Sequence, residues 1–326
     1  MQTALVLASC LAPDAIQARP PGDEKPVKAR AEPTNVDMPA FPQVHYRDMI
    51  DLRVQSRFVP ASDLGGAEVD LYRPDLRLRV TTPVSQRAVL QAIVQGGPSI
   101  YDFSGAGDFL GLGDAAGDPV DDLYRAGVSL QGAYLITDDG DLFTAGERWS
   151  LLGAVAGRFR WESGAFEDSG TGDGSIGVGY QLPGRLRVAA GLSIGSTLDG
   201  GGARVKPMGA FRWRATKKLT VRNRGQGLQI EYRLDKKLEV FVSSFLDGQS
   251  FRLSGRPGFR GATTFRDRQV LAGVGLEWKI SSLLRFNAEV GAVAWRELRV
   301  NERGGGAEST HADPSAYVEI RLGLRP

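Results

Sequence analysis

The sequence is poor in the residue types that most enzymes and secreted domains depend on. It has one cysteine and two histidines among 326 residues. The single cysteine, Cys10, excludes an internal disulfide. No stretch approaches the ~18 consecutive apolar residues of a transmembrane helix, so a membrane location would not use helices. Lys and Arg total 40 against 38 Asp and Glu, and the net charge of +2 gives no reason to expect a nucleic-acid partner.

The first 43 residues do not have the pattern of a folded domain. The sequence LASC, which ends at Cys10, resembles a bacterial lipobox and makes this cysteine a possible lipidation site. The apolar run before it is shorter than in an ordinary signal peptide, so we expect the true start upstream. The alternative is a secretory leader cleaved near Ala12 or Ala18. We assign 1–18 to a signal or lipobox-like remnant and the Pro-rich, charged segment 19–43 to a disordered tether.

From about residue 44 the sequence changes to a period of two. Apolar residues alternate with polar or small ones in segments such as MIDLRVQSRF, DLRLRV and WSLLGAVAGRFRW. This period is typical of a β-strand with two unlike faces. Breaks at turn residues separate fourteen such segments, at 48–58, 67–81, 87–103, 122–136, 147–162, 174–182, 185–196, 206–215, 218–223, 227–234, 238–254, 266–280, 283–299 and 314–325.

The connections indicate how these strands are arranged. Short and long connections alternate along most of the chain. In an antiparallel up-and-down sheet, this alternation places the long loops at one end. The link at 222–226 is short where a long one is expected, so twelve strands is the alternative. We also expect bulges or strand ends at Arg73-Pro74 and Gly96-Gly97-Pro98. Many strands are long enough to cross a bilayer at a tilt, whereas strands of a soluble sandwich are commonly shorter.

These features predict an all-β fold. Residues 44–326 form a transmembrane antiparallel up-and-down β-barrel of about 14 strands in the bacterial outer membrane, with the N-terminal segment disordered. Closure is required in lipid, because an open sheet edge would leave backbone groups unpaired. Its expected partners are outer-membrane lipid, lipopolysaccharide and the barrel-assembly machinery, and the oligomeric state stays open.

Aromatic residues on the apolar face indicate where the membrane interfaces lie. Two belts of amphipathic rings at headgroup level are typical of membrane barrels. The alternative is that these rings are core residues. We place Trp149, Trp213, Trp278 and Phe286 beside the short turns, and Tyr124, Phe159, Trp161 and Tyr180 toward the long-loop end.

The stretch FRWRATKKLTVRNRGQGLQIEYRLDKKLEVFVSSFLDGQSFRLSG (211–255) and the closing pattern of alternating strands carry a resemblance. The chain resembles the uncharacterised Gram-negative outer-membrane β-barrel proteins grouped as domains of unknown function. This resemblance implies a location and a fold, and it implies no established activity. Such barrels usually end on an aromatic residue, whereas this chain ends IRLGLRP.

The positions that face away from lipid carry many charges. Arginines exceed acids among them, and an arginine-lined aqueous lumen favours anions, so we expect a passive small-solute pore. The alternative is that the charges pair and fill the interior of a non-conducting structural or binding barrel that displays Gly- and Asp-rich loops. The predicted lumen-lining residues are Arg53, Arg57, Arg77, Arg79, Arg125, Arg158, Arg160, Arg187, Arg212, Arg214, Glu231, Arg233, Glu277, Arg285, Glu289 and Arg321.

Candidates for catalysis and metal binding are weak. His45 begins the first strand, and His311 lies near Ser309 and Asp313 in the last long loop, a poor scaffold for a base that must reach its nucleophile. We therefore expect no enzymatic activity and no cofactor. Acidic loops without the EF-hand spacing give no metal site. Their carboxylates are Asp114, Asp118, Asp121, Asp122, Glu167, Asp168 and Asp173.

Overall fold

The computed structural model describes residues 50–64, 67–105, 120, 122–137, 147–198, 202–254, 262–302 and 307–325. Cys10, His45, the segments 1–18 and 19–43, and Asp114, Asp118 and Asp121 lie outside them. Within this part of the chain, no helix is long and apolar enough to cross a membrane. The strands are β1 Ile50–Asp63, β2 Glu68–Pro83, β3 Ala88–Ser104, β4 Leu123–Leu135, β5 Arg148–Glu162, β6 Gly170–Leu182, β7 Leu186–Gly195, β8 Arg204–Arg214, β9 Leu219–Asn223, β10 Gln226–Arg233, β11 Leu238–Arg252, β12 Ala262–Lys279, β13 Leu284–Glu302, β14 Ala307–Ala312 and β15 Ser315–Leu324.

The strands form one closed antiparallel barrel. Each strand from β1 to β13 pairs with its sequence neighbours, and β15 pairs with both β1 and β13 to close the wall. β14 and β15 pair with the upper and lower parts of β13, so they form one wall position interrupted at Asp313-Pro314. The wall therefore has 14 positions, which confirms the predicted strand number, and β9 and β10 are both part of it.

The two faces of the wall differ as the period of two predicts. On β1 and β2, Val54 is opposite Leu76, and their side chains are 49% and 52% exposed. The neighbouring residues Arg53 and Arg77 are opposite each other on the inner face. Exposed valine, leucine and isoleucine side chains recur on the outer face of most of the other strands. An apolar exterior around a polar interior is the arrangement of a barrel in lipid.

Polar side chains fix the short turns. In four of them the first turn residue accepts hydrogen bonds from backbone N–H groups two or three residues later, which is the usual role of Ser, Thr and Asp in turns. These residues are Ser85, Thr216, Asp235 and Ser281. The N–H groups of Lys237 and Leu238 donate to Asp235 and lower the pKa of its carboxyl. At the turn after β6, Gly184 supplies a positive φ of 67°.

Opposed prolines interrupt the ladder between β2 and β3. Tyr72 is opposite Ile100 and Leu76 is opposite Gly96, so the register is the same on both sides of the interruption. Pro74 and Pro98 fall in this gap and have no N–H to donate. Both strands continue through it, so the expected strand ends are wrong. The bulges lie elsewhere, one of them at Ala294, which is an extra residue in β13 opposite β12.

Glycines on the inner face of β12 and β13 make room for aromatic rings. A Cβ on Gly273 would lie 2.4 Å from the Tyr317 hydroxyl, and one on Gly291 would lie 2.7 Å from the same ring. A Cβ on Gly275 would lie 2.4 Å from Phe241. The alternating glycines in this part of the sequence therefore allow two rings to lie against the inner wall.

We expect Gly291→Ala to destabilise the barrel, because the backbone of Ala272, 2.2 Å from the new Cβ, cannot move aside. The expected loss is about 1–3 kcal/mol, typical of overpacking. Gly323→Ala is the matched control, since nothing lies within 4 Å of its Cβ. Urea unfolding of the protein refolded into detergent measures both. An equal effect of the two substitutions would contradict the proposed packing.

Candidate functional site: an arginine-rich barrel interior

The predicted lumen-lining residues all fall on the inner face of the wall, opposite the exposed apolar side chains. The register places several of them side by side, since Arg125 is opposite Arg160 and Arg187 is opposite Arg212. Others lie next to acids, as in the ion pairs of Arg222 with Glu231 and of Arg158 with Asp173. The interior is therefore charged along much of its length, and arginine is its most frequent charged residue.

A buried ion-pair network crosses the barrel. Arg57 on β1 forms an ion pair with Asp247 on β11 and also lies 2.6 Å from Glu319 on β15. Arg73 on β2 lies 2.8 Å from the same Asp247 and 3.5 Å from Asp267 on β12. Since β1 and β11 are four positions apart in the wall, these contacts bridge the interior rather than neighbouring strands.

The turn between β9 and β10 joins this network. Arg224 reaches inward and lies 2.6 Å from Glu289 on β13 and 3.0 Å from Glu319. Its guanidinium stacks 4.0 Å above the centre of the Phe245 ring. The Tyr317 hydroxyl donates to Glu289 over 2.7 Å. The short link at 222–226 is therefore tied to the far wall by charge-assisted hydrogen bonds.

A second buried cluster lies nearer the long-loop end. Asp267 accepts hydrogen bonds from the Tyr101 hydroxyl at 2.8 Å and from Arg296 at 3.2 Å. Around this level the interior becomes apolar. The buried residues that surround the cluster are Val59, Val69, Leu71, Phe103, Leu123, Phe251, Phe265, Leu271, Leu298 and Val300.

A cavity of ≈280 Å³ lies between the network and the wall of β1–β5. Eight arginines line it, against two aspartates. Both aspartates have arginine partners, Asp247 in the network and Asp75 at 3.3 Å from Arg125. Carboxylates outside the lining, Asp173, Asp267, Glu289 and Glu319, also pair with its arginines. The eight arginines still outnumber these six carboxylates, so the cavity and its surroundings carry an excess of positive charge. Its arginines are Arg57, Arg73, Arg77, Arg125, Arg158, Arg160, Arg224 and Arg321.

Several residues of this site were not among the sequence predictions. Arg73 and Asp247 line the cavity, and Asp267 belongs to its ion-pair network. Asp247 could have been predicted from the sequence, because it continues the alternation that points Phe241 and Phe245 inward. Arg296 was not recoverable from the alternation, because the bulge at Ala294 reverses the two faces of β13. Arg224 lies in a turn, where the alternation gives no direction.

Most of the predicted aromatic belt residues lie at the expected ends of their strands. Trp149, Trp213 and Trp278 are about half exposed next to the short connections, and Phe286 is opposite Trp278. Near the long loops, Tyr124 stacks on Trp161 at 5.8 Å and Phe159 is exposed.

Tyr180 lies at the other end from the one we expected. It is opposite Trp149, with ring centres 4.9 Å apart, and it is two residues from the end of β6 at Leu182. β6 runs from a long loop down to a short turn, so a residue late in this strand belongs to the short-turn belt.

The candidates for chemistry are dispersed. The His311 ring packs against Trp295, with 5.9 Å between ring centres, and Ser309 is two residues along the same strand. Asp173 is half-buried inside the barrel with Arg158, whereas the Asp168 side chain is 86% exposed in a turn. Among the described residues, no group of three or more His, Cys, Asp or Glu side chains is placed to hold a metal ion.

Comparisons with known proteins give likenesses of structure. No family model and no curated protein matches the sequence. An outer membrane channel from Pseudomonas putida F1 is 13% identical with a TM-score of 0.41, and the match covers 90% of this chain and 99% of that one. A Pseudomonas aeruginosa FadL homologue is 10% identical with a TM-score of 0.42, covering 89% and 93%. The translocator domain of the autotransporter NalP from Neisseria meningitidis is 12% identical with a TM-score of 0.34, covering 85% and 88%.

We expect Asp247→Asn to destabilise the barrel strongly, because Arg57 and Arg73 would lose a buried counter-charge. Breaking a buried ion pair costs about 3–5 kcal/mol. Glu277→Gln is the control, since its partner Arg285 is 3.4 Å away and both side chains are about a third exposed, where a pair contributes about 0–1 kcal/mol. Urea unfolding in detergent micelles compares them, and similar midpoints would show that the network does not hold the barrel together.

Proposed function

We propose that this protein is an outer-membrane β-barrel that admits small anions into its arginine-rich interior and lets them pass. The observation that carries this proposal is the cavity in which eight arginines meet two aspartates. An arginine guanidinium remains charged at every physiological pH. Inside walls of low dielectric, such an excess of one sign concentrates counter-ions and selects permeant ions by charge.

The exterior of the barrel supports a membrane location. Exposed Val, Leu and Ile side chains cover the outer face, and aromatic rings lie near both ends of the strands. Each wall position is hydrogen-bonded to a neighbour on both sides over part or all of its length, as a sheet inside a bilayer requires. Fourteen positions place the barrel between the small barrels filled by side chains and the wide water channels.

A second interpretation, a barrel that does not conduct ions, is supported by the contacts that fill the interior. The ion pairs of Arg57 and Arg73 bridge the interior, and the apolar cluster packs the long-loop side of the described barrel. A barrel closed in this way passes no ions and acts as a structural or binding element. The two readings differ in a single measurable property, which is ion conductance.

We expect the purified, refolded protein in planar bilayers to carry a steady current that reverses toward the chloride potential when KCl is unequal on the two sides. Replacing Arg77 and Arg160, both in the cavity, by Gln should reduce the ratio of chloride to potassium permeability by roughly half or more. Arg299→Gln removes one arginine charge from the outer face of β13 and should leave this ratio unchanged.

Two results would count against the proposed pore. A folded barrel, verified by its shift in mobility on heating, that carries no current would support the non-conducting reading. A current without chloride preference, unaltered by the two cavity substitutions, would show that the arginines do not select the ion.

A further inference from the structure

Two neighbouring strands of the wall are too short to cross a bilayer. β9 has 5 residues and β10 has 8, whereas a transmembrane strand needs about 9–11. The flanking strands are longer, at 11 residues for β8 and 15 for β11. The tip of the β9–β10 hairpin therefore ends within the apolar band of the exterior, below the rim that its neighbours reach.

The pairing pattern shows how far the neighbours rise above this hairpin. β9 pairs with β8 only over Arg212–Arg214, although β8 continues to Arg204 alongside β7. The ladder between β10 and β11 ends at Leu246, although β11 continues to Arg252 alongside β12. In the described chain, a window therefore opens in the wall above the hairpin, between β8 and β11.

The C-terminal end of β11 contacts β5 above this window. Arg252 of β11 pairs with Trp161 of β5, and Glu162 accepts a hydrogen bond from the Ser254 N–H over 2.7 Å. At and below this level, the apolar cluster packs the interior between β1–β4 and β11–β15. The window thus faces sideways, toward the outer leaflet if the long loops are extracellular, rather than along the barrel axis.

The arginine cavity lies directly inside the window. Arg224 and Gly225 at the hairpin tip line it, and so do Phe245 and Leu246, where the ladder with β10 ends. At ≈280 Å³ the cavity is at the lower end of the range for small-molecule sites, about 300–1,000 Å³. It has room for a charged headgroup and no room for a hydrocarbon chain as well.

An apolar groove lies on the outer face of the wall, beside the window and below its lower edge. It has a volume of ≈460 Å³ and runs over the lipid-facing side of β10, β11, β12 and β13. Small side chains at Ser244 and Ala272 form its floor, and exposed Ile230, Val242 and Val274 form its sides. Ser244 in the groove and Phe245 in the cavity are consecutive residues, so only the thickness of β11 separates the two spaces.

We propose that the window is a lateral entrance for an anionic amphiphile, whose phosphate or carboxylate headgroup lies in the arginine cavity while its acyl chain lies in the groove on β10–β13. The cavity supplies the charge-assisted hydrogen bonds that a desolvated anion needs. The groove supplies apolar contact for the chain, which points down the wall as the chains of outer-leaflet lipids do. This inference rests on the proposed anion-accepting interior and names its substrate class and route of entry.

Binding of a monoacyl glycerol phosphate to the full-length refolded protein tests the proposal. Two probes each lack one half of this ligand: glycerol 3-phosphate lacks the chain, and monoacylglycerol lacks the charge. We expect both to bind at least about tenfold more weakly than the complete amphiphile. Ala272→Trp fills the groove and Arg160→Gln weakens the cavity, and each should reduce affinity by about tenfold. Ala92→Trp places the same ring on the lipid-facing side of β3 and is the matched control.

The outcomes separate this proposal from the pore itself. Equal binding of glycerol 3-phosphate would show that the anion enters from water, and equal binding of monoacylglycerol would show an apolar groove alone; either result overturns the lateral entrance. Chloride current is measured on the same variants. If the wild-type barrel carries chloride current but binds the amphiphile no better than the two probes, only the entrance is refuted. If it binds the amphiphile but carries no current, only the pore is refuted. The shift in mobility on heating shows that Ala272→Trp is folded, whether or not the barrel conducts.

Discussion

Every feature of this barrel depends on one constraint, which is that backbone hydrogen bonds must be satisfied in a wall surrounded by hydrocarbon. The constraint forces the sheet to close, so that β15 pairs with β1 as well as with β13. A closed antiparallel wall gives each strand one apolar and one polar face. The polar faces then converge on the interior, and charged side chains occupy much of it beside the buried apolar cluster.

The balance of buried charge differs between the two sides of the interior. Toward β11–β15, carboxylates are numerous enough to bind the arginines, and Asp247, Glu289 and Glu319 each hold two or more of them. Toward β2–β5, arginine is in excess, and a cavity remains. The same residue type therefore stabilises one side of the barrel and creates a site for anions on the other. The short hairpin lies where these two regions meet and connects them through Arg224.

The period of two predicted most of the fold, because in a barrel local pattern and global architecture coincide. It located the fourteen wall positions and the inner face that carries Arg53, Arg125 and Arg212. It could not predict contacts between strands that are distant in sequence, such as Arg57 with Asp247, since alternation gives a direction and no partner. It failed at Arg296, where the bulge at Ala294 reverses the faces, and it placed Tyr180 at the wrong end. The unusually short link at 222–226 was visible in the sequence, but its meaning required the lengths of β8 and β11.

Anomalous diffraction from crystals soaked in bromide shows whether the cavity attracts anions. We expect a bromide peak inside the barrel, within hydrogen-bonding distance of guanidinium groups such as those of Arg125 and Arg160, and no rubidium peak there in a parallel soak. Rubidium in the cavity, or bromide confined to the outer surface, would show that the arginines do not attract anions.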